Sequence, residues 1–328
     1  MLVTQEGSRT RCVDDHLRLL SPRGTAERVL AVISTETKRP RRSALYVPGD
    51  NLRAMEKAQS LPADVIILDL EDAVAPDRKA EARRRIVETV DERVFAPREV
   101  IVRINALGTE WHDDDLRAVA GSAAAGVLVP KVSSADEVRQ LAESLDVYSD
   151  RGDLELWAMI ETPTAVLHTE DIASASERLT TLVIGTNDLL NGLRAQERAD
   201  RGTVSAALQL GLLGARSAGK DILDGVFNAI RDDEGFRAEA TQGRALGFDG
   251  KTVIHPSQIE PANAIFGPSE SDVERARETV AHFEQALADG KSVAVVEGRM
   301  IEELHVQESR RILDLAEAIN ELDRGLVK

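Results

Sequence analysis

The sequence contains a single cysteine and few aromatic residues. Cys12 alone cannot form an intrachain disulfide, and it cannot supply a cysteine cluster for zinc. Phe, Trp and Tyr make up only 3% of the 328 residues, whereas the hydrophobic fraction is 42%. The predicted core is therefore built from Val, Ile, Leu and Ala, as layers of buried parallel strands and helices require.

The sequence also lacks long apolar runs and an excess of positive charge. No run of about 18 apolar residues is present, and the N-terminal stretch has no apolar segment typical of a secretory signal. We therefore expect a cytoplasmic protein with no membrane partner. The 41 Lys and Arg are outnumbered by 57 Asp and Glu, giving a net charge of -16. This balance disfavours nucleic acid as a partner, because phosphate binding needs a basic surface.

From residue 43 the sequence alternates between short apolar runs and helix-sized segments. The strand-like runs lie at 43–47, 64–70, 99–105, 126–131, 154–160, 179–187, 221–227 and 247–256. Eight short strands separated by helical segments predict an α/β fold, a (β/α)8 TIM barrel. No glycine-rich dinucleotide fingerprint follows the first strand, which disfavours a doubly wound sheet.

We predict three parts of the chain. Residues 1–40 form a flexible N-terminal extension, 41–258 form the barrel, and 259–328 form a C-terminal helical lid extension. In the last part, 260–289 is predicted to be helical. The basic run Lys38-Arg39-Pro40-Arg41-Arg42 is interpreted as a solvated linker, with an arm that recruits anions to the site as the alternative.

Two predicted strands end in a carboxylate. The run 154–160 leads into Glu161, and the run 179–187 leads into Asp188. Parallel α/β barrels place their chemistry at the carboxyl ends of the strands, so both acids are expected at one mouth. Mg²⁺ usually takes one or two protein carboxylates and fills its remaining positions with water and substrate oxygens. The pair therefore predicts a magnesium site.

Other polar residues also follow the predicted strands. They are Asp69, Glu71, Asp72, Arg103, Asn105, Lys131, Asp224 and His255. Arg103 is the most informative, because a guanidinium inside an apolar strand is costly to bury unless it meets an anion. Its planar fork fits a carboxylate with two hydrogen bonds.

Seven motifs occur in a characteristic order. They are Arg42-Ser43-Ala44-Leu45-Tyr46-Val47-Pro48-Gly49, Leu68-Asp69-Leu70-Glu71-Asp72-Ala73-Val74, Arg103-Ile104-Asn105, Pro130-Lys131-Val132, Met159-Ile160-Glu161-Thr162, Gly185-Thr186-Asn187-Asp188-Leu189 and Ile254-His255-Pro256-Ser257-Gln258. The set resembles the citrate lyase β-subunit family of the HpcH/HpaI aldolase/citrate lyase superfamily, which includes malyl-CoA and citramalyl-CoA lyases. The resemblance implies a (β/α)8 barrel, commonly a trimer or hexamer, that cleaves or forms a carbon–carbon bond next to a CoA thioester with Mg²⁺.

The resemblance also implies roles for individual residues. It makes Glu161 and Asp188 the protein ligands of Mg²⁺, with Glu161 also beside the substrate, and it makes Arg103 the contact to the oxo-acid part of the substrate. Glu71 and Asp72 fall near the metal, where they would orient its waters.

One position departs from the family pattern. The family's lid segment is Gly-x-Met-Ile-Asp, and its Asp acts as acid/base in a neighbouring subunit's site. This chain has Gly298-Arg299-Met300-Ile301-Glu302 instead. Glu302 keeps the carboxylate but moves it outward by one methylene group, and a misplacement of about 1 Å can cost about 100-fold in rate.

The expected function is a Mg²⁺-dependent carbon–carbon lyase that cleaves or forms a 3-hydroxyacyl-CoA such as malyl-CoA or citramalyl-CoA, with an acyl-CoA and a 2-oxo acid as the other side of the reaction. A malyl-CoA thioesterase is the first alternative. The others are an aldolase for free 4-hydroxy-2-oxo acids and a catalytically impaired subunit that binds acyl-CoA within a lyase complex.

Overall fold

A computed structural model describes residues 39–296 and 298–326. The strands are β1 (Ser43–Pro48), β2 (Val65–Asp69), β3 (Glu99–Arg103), β4 (Gly126–Val129), β5 (Glu155–Ile160), β6 (Leu179–Ile184), β7 (Asp221–Asp224), β8 (Gly250–Val253), β9 (Ala294–Val296) and β10 (Arg299–Ile301). The α-helices are α1 (Leu52–Ala58), α2 (Lys79–Asp91), α3 (His112–Ala120), α4 (Ala135–Tyr148), α5 (Pro163–Leu167), α6 (Thr169–Ala173), α7 (Thr186–Leu193), α8 (Ser205–Ser217), α9 (Asp233–Leu246), α10 (Ile259–Phe266), α11 (Glu270–Ala288) and α12 (Glu303–Leu326). Two 3₁₀ turns cover Pro76–Arg78 and Pro256–Gln258. The predicted extension at 1–38 lies outside the described residues.

The first eight strands form a closed parallel barrel. Each strand pairs with the next in sequence, and β8 closes the barrel by pairing with β1. The predicted TIM-barrel fold is therefore confirmed. Several predicted strands extended too far at their C-terminal ends: β6 stops at Ile184, because Thr186 already begins α7. Those extra residues form the loops and helix starts that carry polar side chains.

Side chains alternate between the barrel interior and the helical layer, as the period of a β-strand requires. In β3, Ile101 packs in the interior cluster while Val102 packs in the outer core. The same alternation in β5 places Trp157 and Met159 inside. At both ends of these strands, the positions that point into the barrel interior carry charged side chains. Each end of the barrel interior therefore contains charged groups.

The N-terminal end of the barrel is closed by Arg41. Its guanidinium binds Glu99 and Glu155 at 2.7–2.8 Å and Asp221 at 3.2 Å, and it lies 4.7 Å from the Trp157 ring centre. The interpretation of this basic run as a solvated linker is therefore wrong for Arg41. It is also wrong for Arg42, which is buried and pairs with Asp64 at 2.8 Å. The counter-charges are carboxylates at or just before the starts of strands that are distant in sequence. A run of charged residues does not by itself show that such partners exist.

The helical layer continues beyond residue 258, where the sequence prediction ended the barrel. Helix α10 packs against β1 and β8 and so completes the layer around the barrel. The predicted helical segment 260–289 is two helices, because the chain is extended at Gly267 and restarts at Ser269. The Ser269 side chain accepts a hydrogen bond from the Asp272 backbone in a capping box.

The C-terminal extension has a small core of its own. Helices α11 and α12 pack on each other and on the β9–β10 hairpin, around Phe283, Ile301 and Val306. Near its end, α12 places Gly325 beside Pro97 and Asp323 3.9 Å from Arg42. These contacts lie on the N-terminal side of the barrel.

No helix among residues 39–296 and 298–326 is long and apolar enough to span a membrane.

Candidate active site

A cavity of about 410 Å³ opens at the C-terminal end of the barrel. Its lining residues include Tyr46, Asp69, Asp72, Arg103, Met159, Glu161, Asn187, Asp188, Val226, Asn228, Thr252 and Ile254. The predicted convergence of strand-end residues therefore holds for Asp69, Asp72, Arg103, Glu161 and Asp188. Ile184, Val226 and Ile254 add apolar groups to the lining at or just after the ends of β6, β7 and β8.

Glu161 and Asp188 share this cavity but differ in exposure. Glu161 is only 2% exposed, whereas 39% of the Asp188 side chain is exposed. The backbone N–H of Lys131 donates to Glu161 Oε1 at 2.7 Å. Lys131 has a positive φ of 58°, a conformation that costs non-glycine residues of order 1 kcal/mol. The end of β4 is thus turned so that its amide faces Glu161.

The charge around Glu161 is unfavourable for a carboxylate. Burial, followed by the neighbouring Asp188 and Glu71, raises the pKa of Glu161 to about 7, although Lys131 opposes the shift. The Lys131 ammonium lies 3.8 Å from Asp188 Oδ1 and 3.1 Å from Glu71 Oε1. The half-exposed Lys131 ammonium therefore interacts with Glu161, Asp188 and Glu71. The negative charge that is left over favours the binding of an additional cation.

Arg103 is held by the protein itself. Its Nε and Nη2 donate to the two carboxylate oxygens of Asp69 at 2.7 and 2.6 Å. Nη1 lies 2.9 Å from Glu71 Oε2, and the guanidinium carbon lies 4.7 Å from the Tyr46 ring centre. Burial alone would lower the pKa of Arg103, but Tyr46, Asp69 and Glu71 raise it overall, so Arg103 stays charged. The anion that Arg103 needs is thus supplied first by Asp69, which also fixes the direction of the guanidinium.

Glu71 and Asp72 occupy different environments. Glu71 is 7% exposed and bridges Arg103 and Lys131. Burial raises its pKa, and Asp72 adds to that effect against the opposing charge of Arg103. Asp72 is exposed and lines the cavity. Glu71 therefore positions the two cations, and Asp72 faces the space that substrate and solvent enter.

Gly185 allows the Glu161 carboxylate to fit between β5 and the loop after β6. A Cβ at this position would lie 2.4 Å from Glu161 Oε2 and 2.5 Å from Glu161 Cβ. A side-chain shift could relieve the contact with Oε2 but not the contact with the Glu161 Cβ, which is fixed by the backbone. The loop after β6 can approach β5 this closely only with glycine at residue 185.

Five of the ten strand-end residues are absent from the cavity lining. Glu71 and Lys131 adjoin it through their contacts with Arg103 and Asp188. Asn105 donates to Leu70 O and to Asp115, so it braces the loop after β2. Asp224 lies outside the barrel wall, since the interior position of β7 is Leu223. It is fully buried there with Lys251 and Arg201. His255 caps the 3₁₀ turn that follows β8.

Glu302 is exposed and is not among the residues that line the cavity of its own chain. It precedes α12, and its backbone N–H donates to His305 Nδ1 at 3.0 Å. The nearby side chains of Val295, Met300 and Leu304 are each at least 60% exposed. The β9–β10 hairpin and the start of α12 therefore present an apolar surface together with a carboxylate.

Sequence reasoning did not assign functional roles to several residues at the cavity. Asp69 and Lys131 were noted only as strand-end residues, and Tyr46 and Met159 had no assigned role at the site. Strand alternation was the available signal, because Tyr46 and Met159 occupy interior positions of β1 and β5. Asn187 lies in the first turn of α7 and Asn228 in the loop after β7, where strand alternation gives no information.

The residues at the mouth fit a magnesium ion. Glu161 and Asp188 offer hard oxygen donors, and Glu161 Oε2 is not used in the hydrogen bond to Lys131. Among the described residues, no three His, Cys, Asp or Glu side chains are grouped to form a larger ligand set. Two carboxylates plus water and substrate oxygens are a suitable environment for Mg²⁺, whereas a site formed only by protein ligands is absent from this part of the chain.

Comparisons with known proteins agree with this geometry. The family model "HpcH/HpaI aldolase/citrate lyase" matches residues 42–256. A (3S)-malyl-CoA thioesterase of Cereibacter sphaeroides is 48% identical over 280 residues, covering 85% of this chain and 96% of the relative. An L-malyl-CoA/beta-methylmalyl-CoA lyase of the same species is 34% identical over 307 residues, covering 86% and 96%.

A solved structure supports the same assignment. The crystal structure of CitE from Mycobacterium tuberculosis, in complex with magnesium, acetoacetate and coenzyme A, matches with a TM-score of 0.68 and 30% identity. The match covers 87% of this chain and 99% of CitE. The order of motifs, the closed barrel and these similarities lead to one conclusion: the chain belongs to the HpcH/HpaI aldolase/citrate lyase family.

Proposed function

We propose that this protein is a Mg²⁺-dependent enzyme for a malyl-CoA-like 3-hydroxyacyl-CoA, and that its main reaction is hydrolysis to the free hydroxy acid and CoA. The main support for the substrate class is that Glu161, Asp188 and Arg103 line one cavity. The choice of hydrolysis is supported by the similarity to the malyl-CoA thioesterase, which is 48% identical compared with 34% for the malyl-CoA lyase.

The substrate would be bound through its oxygen atoms. Glu161 and Asp188 would hold Mg²⁺, which when bound would polarise substrate oxygens and neutralise their charge. Arg103 would contact the carboxylate of the acid part. Nη1 lies 2.9 Å from Glu71 Oε2 and 3.9 Å from the weakly accepting Met159 sulfur, and Nη2 uses one of its two N–H groups on Asp69. Arg103, which lines the cavity, thus retains hydrogen-bonding capacity for the substrate carboxylate.

Carbon–carbon cleavage is the second candidate reaction. It is favoured by the similarity to the malyl-CoA lyase and by the same site, since both reactions begin from one bound thioester. Hydrolysis requires a water molecule at the thioester carbonyl, whereas cleavage requires a base for the substrate hydroxyl proton. The position of the catalytic carboxylate therefore decides between the two reactions.

We assign that carboxylate to Glu302 of a neighbouring copy. Glu302 is absent from its own cavity lining, and the exposed Val295 and Met300 beside it offer an apolar contact surface. This assignment requires a homo-oligomer, such as a trimer or hexamer. A monomeric mass in solution under assay conditions would contradict it.

The reaction is tested by measuring two products in one assay. The purified protein is incubated with Mg²⁺ and malyl-CoA or citramalyl-CoA, and free thiol and 2-oxo acid are quantified over time. We expect free CoA to form faster than oxo acid. The reverse order would select the lyase, while turnover of free 4-hydroxy-2-oxo acids alone would select the aldolase. Absence of every product would leave only the acyl-CoA-binding subunit.

Glu302 is tested by two substitutions. We expect Glu302→Gln to lower the rate by about 10²–10⁴-fold, because a general acid or base contributes about that factor. Glu302→Asp should retain more activity and raise the ratio of oxo acid to free CoA, because it restores the carboxylate length found in the lyase pattern. Glu303→Gln, at the neighbouring exposed position, is the control and should change neither rate nor ratio. An unchanged rate in Glu302→Gln would move the acid/base role to another residue.

A further inference from the structure

The side chains of Asn187 and Asn228 form a reciprocal pair at the cavity. Asn228 Nδ2 donates to Asn187 Oδ1 at 2.8 Å, and Asn187 Nδ2 donates to Asn228 Oδ1 at 3.3 Å. Both residues are exposed and both line the cavity. Asn187 directly precedes Asp188, so the pair lies next to the proposed magnesium site.

The pair leaves half of its hydrogen-bonding capacity unused. An asparagine side chain has two N–H donors and one oxygen with two lone pairs. The reciprocal bonds use one donor and one lone pair of each amide, and neither side chain makes another hydrogen bond within the described part of the chain. Asn187 and Asn228 thus present donors and acceptors side by side.

The loop that carries Asn228 is firmly held. Lys251 Nζ donates to Gly225 O at 2.5 Å, and Gln258 Nε2 donates to Phe227 O at 2.9 Å. A Cβ on Gly225 would lie 2.7 Å from Thr186 Oγ1 and 2.9 Å from Ile184 O, so glycine lets the loops after β6 and β7 meet. Site groups fixed by such supporting contacts lose little entropy when a ligand binds.

The surroundings define the class of ligand. The asparagine side chains are uncharged, so they offer no counter-charge to a phosphate or carboxylate. Val226 and Ile254 line the cavity together with the pair and offer contacts for methylene groups. A neutral group with one donor and one acceptor, set between methylenes, matches this combination. A secondary amide on an alkyl chain has that chemistry.

We infer that the Asn187–Asn228 pair binds the secondary amide nearest the sulfur in the thiol half of the substrate. The inference rests on the proposed function, because that function supplies a CoA thioester, whose amide nitrogen is two methylenes from sulfur. The ligand carbonyl accepts from a free asparagine N–H, and the ligand N–H donates to a free lone pair. The pair thereby selects CoA-type thioesters over simple alkyl thioesters.

The test compares two truncated substrates. Malyl thioesters of N-acetylcysteamine and of propanethiol differ in the presence of that amide, and their kcat/KM ratio measures its recognition. We expect the wild-type protein to prefer the N-acetylcysteamine ester. In Asn228→Ala and Asn187→Ala that preference should fall about five- to tenfold, because one hydrogen bond between neutral groups is lost. Asn191→Ala, an exposed asparagine on α7 outside the cavity lining, should retain the wild-type ratio.

Two outcomes would overturn the inference. One is a wild-type protein with equal kcat/KM for the two esters. The other is a loss of kcat/KM in the variants that is the same for both esters, which is expected if the pair only joins the start of α7 to the loop after β7. Calorimetric binding of CoA in the presence of Mg²⁺ separates this inference from the proposed function. If no thioester is turned over, the proposed function fails. CoA affinity that is equal in wild type, Asn187→Ala and Asn228→Ala would then overturn the inference as well.

Discussion

The two ends of the barrel interior use the same chemical groups for different purposes. At the N-terminal end Arg41 lies 4.7 Å from the Trp157 ring centre, and at the C-terminal end Arg103 lies 4.7 Å from the Tyr46 ring centre. The Arg41 and Arg103 side chains are only 8% and 12% exposed, and each binds at least two carboxylates. The two ends differ in whether nearby cations compensate the charge of the surrounding acids.

At the N-terminal end, the acids are compensated. Burial alone would raise the pKa of Glu155, but the Arg41 charge and hydrogen bonds from Thr180 and Trp157 lower it overall. At the C-terminal end, burial and neighbouring acids raise the pKa of Glu161 to about 7. One end therefore contributes to stability, while the other retains uncompensated negative charge. In this barrel, the end with the candidate site is the one at which a buried carboxylate keeps a raised pKa although cations are nearby.

The largest expected effect is that of replacing Glu161. We expect Glu161→Gln to lower kcat/KM about 10³-fold, because the metal-side carboxylate is lost. Without metal, its free energy of unfolding should rise on the order of 1 kcal/mol, since a buried charge beside Asp188 and Glu71 is removed. Denaturant unfolding with and without Mg²⁺ measures this, and Mg²⁺ should stabilise the wild type more than the variant.

Glu155→Gln is the matched substitution at the other end. It should lower the free energy of unfolding by about 1.5–3 kcal/mol, because hydrogen bonds to a charged group are weakened. Its kcat/KM should stay near the wild-type value. If both glutamine variants shift stability in the same direction, the proposed difference between the two ends is incorrect.

The second effect comes from exchanging each arginine for lysine. Arg103→Lys should reduce kcat/KM about 10²-fold, because an ammonium cannot keep two bonds to Asp69 and still contact the substrate. Arg41→Lys should leave kcat/KM intact and lower stability by about 3 kcal/mol through incomplete pairing of buried acids. Steady-state kinetics and thermal unfolding on both variants test this exchange. A catalytic defect in Arg41→Lys would show that the two ends are coupled.

The smallest effect concerns acid pH. The lowered pKa of Glu155 means that its stabilisation is present above the unfolded pKa, about 4.3, and is lost as pH falls through the lower folded pKa. Between pH 5 and pH 3, the unfolding free energy should therefore decline less in Glu155→Gln than in wild type. Glu143→Gln, at an exposed helical position, should follow the wild-type curve. Identical curves for all three proteins would contradict the pairing of Glu155 with Arg41.

Much of the barrel could be predicted from local pattern. Eight apolar runs of strand length specify the closed sheet, and the carboxyl ends of the strands specify where Glu161, Asp188 and Arg103 meet. The same reasoning failed for Arg42, whose partner Asp64 lies 22 residues away. It also placed Asp224 at the mouth, because the register that turns this side chain outward is set by pairing between strands.

The amino-acid sequence specifies the available chemistry: an aliphatic parallel barrel, carboxylates at two strand ends and a guanidinium within a strand. The packing of the folded chain sets which of these charges are compensated. Arg41 meets acids from β3, β5 and β7, whereas Glu161 meets Asp188 and Glu71 with Lys131 as the nearby ammonium. These energies depend on distance and burial, and both quantities arise from contacts between residues far apart in the chain.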